Sequence, residues 1–578
     1  MSWFTNDQLD HVSHHLELIY PNANHKDLAG DVLAAFGVAA TSNQQETTHL
    51  WDQNDVVMIT YGDSLCEEGE KPLHSLKHFL NEYLSGIING VHILPFFPYT
   101  SDDGFAVQDY DQVRSDLGEW SDITDIAQKF RLMADVVINH ASSKHEWFRQ
   151  FEEGKAPGCD YIKTAFPEDN LSDVVRPRPF ELLRPTQTKN GLKHVWCTFS
   201  HDQVDLDFGN PALLIEFIKI MRRYIDHGVR IFRLDAVAFL WKEVNSTSLH
   251  LPQTHEIIKL IRTLVDMRDE TVIIITETNV PNHENLQYFG NANEAHVVYN
   301  FSLPPLLLHA LLTGRSEFLR HWAASTPPLQ NGCSYLNFTA SHDGIGLRPV
   351  EGLLSKNDID ILLNTIELFG GTVTTRSIGE GVEKPYEMNI TYFDALKGTI
   401  KGPDHLQKER FLASQTIMMS LQGIPAFYIL SLLATPNDYV KMEETQHNRS
   451  INRHQWDYQK LIQLLDGATS IQAQIFNEIR RLLAIRIEQP AFHPDATQYM
   501  IQPSSGFFGF LREHKGEKQL IYVVTNLQAE ESCLSLLDLN LSTSQKWIDL
   551  ISGAVINLSE GTLNFAPYQT VWITQQTD

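Results

Sequence analysis

At 578 residues, with 42% hydrophobic and 10% aromatic side chains, the chain exceeds one small core and has the composition of a large globular protein of two or more domains. Its 45 Lys+Arg against 72 Asp+Glu leave a formal charge of −27, which argues against nucleic acid or an anionic membrane as the main partner and requires any anionic substrate to be held by local cations. Five scattered cysteines argue against a disulfide framework or zinc knuckle, and the lack of a leader or a membrane-length apolar run makes the cytoplasm the expected compartment.

Residues 1–54 read as a helical N-terminal extension, with apolar spacing in LDHVSHHLELIY and LAGDVLAAF. Short β-type runs then recur: VVMITYG (56–62), VHILPFFP (91–98), MADVVINH (133–140), VRIFRLDAV (229–237), TVIIITETN (271–279) and HVVYNFSLP (296–304). Helical stretches lie between several of them, such as 212–225 and 255–267; in the second, Ile257, Ile258, Ile261, Leu264 and Val265 form one apolar stripe. NFTASHDG (337–344) and IPAFYILSLL (424–433) supply a seventh and an eighth strand. This alternation predicts an α/β fold, a (β/α)8 TIM barrel, in three parts: 55–140, 212–343 and 401–499. Residues 141–211, rich in proline and charge, interrupt it as an inserted subdomain after the third strand. A second insertion, 344–400, glycine-rich and polar, reads as a long functional loop. Residues 500–578 return to short alternating runs, such as QLIYVVTNL, and predict a C-terminal antiparallel β domain.

The fourth strand places Arg233 and Asp235 two apart, on one face of a segment that is otherwise apolar. A carboxylate beside a guanidinium stays ionised, which suits a nucleophile, a charge stabiliser or a structural ion pair. Barrel active sites form at the carboxyl ends of the strands. There the third strand ends in Asp135 to His140, the fifth in Thr276-Glu277-Thr278-Asn279, and the seventh in Ser341-His342-Asp343. One strand-end aspartate is more often a helix cap or loop anchor. Asp235, Glu277 and Asp343 together, at three strand ends, point to a carboxylate-based site. Glycosyl transfer through an oxocarbenium-like transition state uses such a set: Asp235 as the ionised nucleophile, Glu277 with a raised pKa as the acid/base, and Asp343 as stabiliser, with retention if the first two lie about 5–5.5 Å apart.

DVVINH, FRLDAV, TETN and SHDGIG stand in the order of the four motifs of the α-amylase clan, and over residues 55–500 the chain resembles its sucrose-phosphorylase-like subfamily. The resemblance implies the same three catalytic roles and a glucose-binding shell of Asp102, Phe105, His140, Gln203, Arg233, His342 and Arg453. VRPRP (175–179) looks like the motif whose second arginine binds phosphate, here Arg178, and KPYEMN (384–389) like the mobile loop whose tyrosine also meets phosphate, here Tyr386. A guanidinium and a phenol select the phosphate dianion over water.

The chain departs from sucrose-cleaving members at Asn279, where they carry histidine, at Glu387, where they carry glutamine, and at Ala238, where glycine is usual. ITETNVP, SHDGIGL and PYEMN look most like the branch of glucosylglycerate phosphorylases, whose leaving group is an anion. Arg348, Arg376, Lys242 and Lys384 are the cations available to its carboxylate. The expectation is a retaining glucoside phosphorylase with inorganic phosphate as co-substrate, no metal or other cofactor, and a homodimer as in related enzymes. Glycerol or fructose as leaving group, and an α-glucoside hydrolase, are the alternatives; a non-enzymatic accessory barrel is disfavoured by the three retained carboxylates.

Overall fold

The computed structural model describes residues 4–39, 50–178, 180–377 and 383–576. Eight parallel strands close into a barrel: β1 (Val57–Thr60), β2 (Gly90–Ile93), β3 (Arg131–Val137), β4 (Val229–Asp235), β5 (Ile273–Thr276), β6 (Val297–Tyr299), β7 (Ser334–Phe338) and β8 (Ile424–Tyr428). Each pairs with its neighbours in chain order, and β8 pairs back onto β1. Strands buried on both faces favour continuous apolar, β-branched runs, which is why VMIT, IIIT and VVY form them. Two strands differ from the sequence reading. The seventh ends at Phe338, which leaves SHDG in the loop above it, and the eighth gives way after Tyr428 to the helical turn Ile429–Leu432, where leucine replaces the β-formers.

Helix Pro211–Asp226 starts with Asn210 capping Ala212 N and proline at its first position; helix Pro252–Arg268 also opens on proline and buries its predicted stripe. The N-terminal helices Asn6–Ile19 and His25–Phe36 pack on these two barrel helices. His15 Nδ1 meets Glu256 Oε1 at 2.6 Å, and the Tyr20 hydroxyl donates to Phe208 O at 2.8 Å.

The first insertion carries helix Glu146–Glu153 and the hairpin Leu183–Thr188 with Gly191–Trp196. The chain returns to the barrel through an antiparallel pair, His140–Ser142 with Gln203–Asp205, which brings Gln203 to the top of β3. The second insertion is not the long loop the composition suggests. It contains helix Lys356–Leu368 and a three-stranded sheet in which Glu383–Asn389 lies between Ile345–Gly346 and Thr372–Ser377. A five-stranded antiparallel sheet (Thr497–Met500, Phe507–His514, Gln519–Asn526, Thr570–Gln575, Trp547–Asp549) closes the chain. Its buried Arg512 and Trp572 dock it to the barrel, bonding Ser420 O at 2.9 Å and Ser420 Oγ at 3.0 Å. Among the described residues no helix is long and apolar enough to cross a membrane.

Candidate active site

The buried charges at the strand ends are held in one chain. His92 on β2 meets Asp135 Oδ2 at 2.6 Å, and Arg233 Nη1 donates to Asp135 Oδ1 at 2.5 Å and to Asp235 Oδ1 at 2.7 Å. Arg233 Nη2 lies 3.9 Å from Glu277 Oε1, so a single guanidinium serves both carboxylates. Its position is fixed further by the rings of Phe105 and Tyr299, with centroids 5.7 and 5.6 Å away. Directly after Asp235 the backbone turns left-handed at Ala236 (φ 50°), a conformation costing an L-residue about 1–2 kcal/mol. The turn aims Ala236 N–H at Glu277 Oε2, at 3.0 Å. Strain here fixes the geometry of the carboxylate pair.

Burial pushes both Asp235 and Glu277 above the ordinary carboxylate range, against the pull of Arg233. The repulsion of Glu277 adds to the shift at Asp235. The pair therefore favours one proton between them, and Arg233 bonds Asp235 directly at 2.7 Å while standing 3.9 Å from Glu277. Asp343 behaves differently. Burial works to raise it, but Arg449, His342, Arg233 and Arg453 outweigh that and hold it far below the usual range. The strongest of these is Arg449, whose Nη1 stands 2.5 Å from Asp343 Oδ1.

All three carboxylates line one pocket. Asp102, Phe105, His140, Gln203, Arg233 and His342 line it with them. Phe105 and His342 stack with centroids 4.8 Å apart, and burial lowers the His342 pKa to about 3, so its imidazole is neutral. Gln203 Nε2 bridges His140 Nε2 at 3.2 Å and Asp102 Oδ2 at 3.4 Å; Asp102 Oδ1 is buried with no hydrogen bond to a described residue and lies 3.9 Å from Arg453 Nη1. Arg453 stands one layer out. It bonds Asp103 Oδ2 at 2.6 Å and His342 O at 2.9 Å, and it borders a neighbouring pocket.

Arg178, Tyr386 and Asn279 line the same pocket, with the Arg178 guanidinium 5.6 Å over the Tyr386 ring. Asn279 Oδ1 is buried without a partner among the described residues. Glu387 is buried beneath, where Arg449 holds it by two bonds of 2.8 and 2.9 Å. Of the four cations proposed for an acceptor carboxylate, none lines the pocket. Lys242 is buried against Asn139 Oδ1 (2.7 Å) and Asp205 (3.2 Å), which satisfies its charge inside the fold, and Lys384 is exposed. Arg376 is bound to Glu351 at 2.9 Å, and Arg348 lies 4.0 Å from Glu284.

Sequence reasoning missed Arg449, Phe199 and Ala236, which also line the pocket. Arg449 had one signal, its place four residues before Arg453 in a segment that is otherwise polar and loop-like. Among the described residues no cluster of histidine, cysteine or carboxylate side chains is arranged to hold a metal ion.

Residues 80–322 match the family model for the α-amylase catalytic domain. The chain is 40% identical over 536 residues to glucosylglycerate phosphorylase of Spirochaeta thermophila, covering 91% of each. It is 38% identical to the glucosylglycerate phosphorylase of Escherichia coli over 90% of this chain and 92% of that one. The crystal structure of sucrose 6F-phosphate phosphorylase from Thermoanaerobacter thermosaccharolyticum superposes with a TM-score of 0.72 at 22% identity, over 90% of this chain and 98% of the other.

Proposed function

Because the chain belongs to the α-amylase clan, in its sucrose-phosphorylase-like subfamily, and is a glucoside phosphorylase, we propose that its reaction is the reversible phosphorolysis of 2-O-α-D-glucosylglycerate to α-D-glucose-1-phosphate and D-glycerate. Ionised Asp235 attacks the anomeric carbon as the bond to the glycerate oxygen breaks, and Glu277 gives that oxygen its proton. Hydrogen phosphate then attacks the same carbon, the Asp235 ester breaks, and Glu277 recovers its proton from the phosphate. Asp343, kept ionised by Arg449, stabilises the positive charge that develops on the sugar. The neutral His140 and His342, with Asp102 and Gln203, hold sugar hydroxyls. The chemistry needs no metal.

The observation that carries this reading is Arg178 beside Tyr386 in the pocket that also holds the carboxylate pair. A hydrolase has no use for a guanidinium there, whereas a phosphorylase must favour a dianion over the far more concentrated water. The glycerate assignment is supported by relatives bearing that name over nine-tenths of the chain.

The test is formation of glucose-1-phosphate with glucosylglycerate, glucosylglycerol and sucrose offered separately, with and without phosphate. Phosphate-dependent product from glucosylglycerate alone is the expected result. Free glucose released without phosphate overturns the phosphorylase reading, and product from sucrose or glucosylglycerol alone reassigns the acceptor.

A further inference from the structure

Three guanidinium groups line the pocket, and two are already committed. Arg233 is bonded to Asp135 and Asp235, and Arg449 to Asp343 and to both oxygens of Glu387. Arg178 has no hydrogen bond to any described residue. Its nearest carboxylate oxygen, on Glu387, is 3.9 Å away, and its side chain is only 18% exposed. A largely desolvated cation facing a cavity without a close counter-charge favours a bound anion.

The proposed reaction presents two anions to this cation. Two successive inversions at one carbon return the incoming oxygen to the position of the departing one, so phosphate and glycerate approach from the same face. In glucose-1-phosphate the charged oxygens lie two bonds from the glycosidic oxygen. In 2-O-glucosylglycerate the carboxylate carbon lies two bonds from it and the charged oxygens one bond further. The two negative charges therefore fall in nearly the same volume. We propose that Arg178, with the Tyr386 hydroxyl, forms one anion subsite that holds phosphate and the acceptor carboxylate in turn, and that Arg178 thereby selects an acceptor bearing a carboxylate next to the reacting hydroxyl. This rests on the glycerate reading above. Glu387 would repel both anions were its charge not covered by Arg449, while Arg348 and Arg376 are bystanders outside the pocket.

α-D-Glucosyl fluoride loads the enzyme without phosphate and so separates the acceptors. With this donor, kcat/KM is measured for phosphate, glycerate and glycerol in the wild-type enzyme and in R178Q, R178K, R348Q and R376Q, with thermal unfolding to confirm folding. In R178Q the phosphate-to-glycerol and glycerate-to-glycerol ratios fall together, by about 10- to 100-fold, the size of one charge-assisted hydrogen bond. R178K loses less, again equally for both anions. R348Q and R376Q leave both ratios within about threefold. An R178Q enzyme that loses phosphate but keeps its glycerate-to-glycerol ratio overturns the shared subsite, as does a glycerate-specific loss in R348Q or R376Q. A wild-type enzyme that uses phosphate but ignores glycerate removes the substrate assignment and the shared subsite with it, while leaving the phosphorylase reading intact.

Discussion

Replacing Arg449 with methionine tests how the stabilising carboxylate is kept charged. Arg449 stands between Asp343, at 2.5 Å, and Glu387, at 2.8 and 2.9 Å, and the two carboxylate side chains are 19% and 1% exposed. R449M leaves Glu387 with only Arg178 at 3.9 Å, and removes from Asp343 the cation that contributes most to holding it ionised. Removing one member of a buried ion pair costs about 3–5 kcal/mol. If half of that falls on the reaction rather than on folding, kcat/KM drops roughly 10- to 100-fold at about 1.4 kcal/mol per decade. The sign of the pH effect follows from the lost cation. Asp343 titrates higher in R449M, the active form is the carboxylate, and activity disappears as pH falls through that raised value. Asp343, held far below Asp235 in the wild type, becomes a second group whose ionisation limits the reaction, so the acid limb of kcat/KM steepens and moves to higher pH. The double variant R449M/E387L removes both members of the lower pair, so it regains thermal stability without restoring the acid limb, since Asp343 still lacks its cation. Glucose-1-phosphate formation followed across the acid and neutral range checks both. An R449M enzyme with the wild-type acid limb and kcat/KM within threefold refutes the reasoning.

D235N should lower turnover by roughly four orders of magnitude or more while circular dichroism and the unfolding midpoint stay those of the wild type; near-normal activity would remove Asp235 from the nucleophile role. Glu277 titrates high and must be protonated to release glycerate, so kcat/KM for glucosylglycerate falls as pH rises through its raised pKa. Glycosylation by glucosyl fluoride, whose leaving group needs no proton, should lack that alkaline limb and tolerate E277Q; the same limb with both donors would assign it to another group. At Gly346 an added Cβ would lie 2.8 Å from Asn279 Oδ1, so G346A should displace Asn279 and raise the KM for glycerate while leaving that for phosphate within about twofold; equal changes in both would place Asn279 outside the acceptor wall.

The parts of this molecule legible in the sequence are those whose physics is local. A barrel strand buried on both faces writes itself as a short apolar β-branched run, and a functional carboxylate at its end interrupts that run at a fixed point, so Asp235 and Glu277 stand out against Ile231–Phe232 and Ile273–Ile275. The second insertion hid its sheet because TVTTRS and EKPYEMN are short and polar, the second is broken by a proline, and they form strands only through pairing with each other and with Ile345–Gly346. Arg449 was hidden for a deeper reason. Its partners come from the loop above β7 and from the strand Glu383–Asn389, and nothing near it in the sequence shows that a surface-like HNRS segment folds inward to meet them. Lys242 failed in the opposite direction: it lies close in sequence to Asp235, yet the chain turns it away from the pocket to Asn139 and Asp205. Proximity along the chain thus located the carboxylates and Arg233, the cation of Asp235, but not Arg449, the cation of Asp343. The counter-charges decide which carboxylate is ionised, and so which roles Asp235, Glu277 and Asp343 are fit to take.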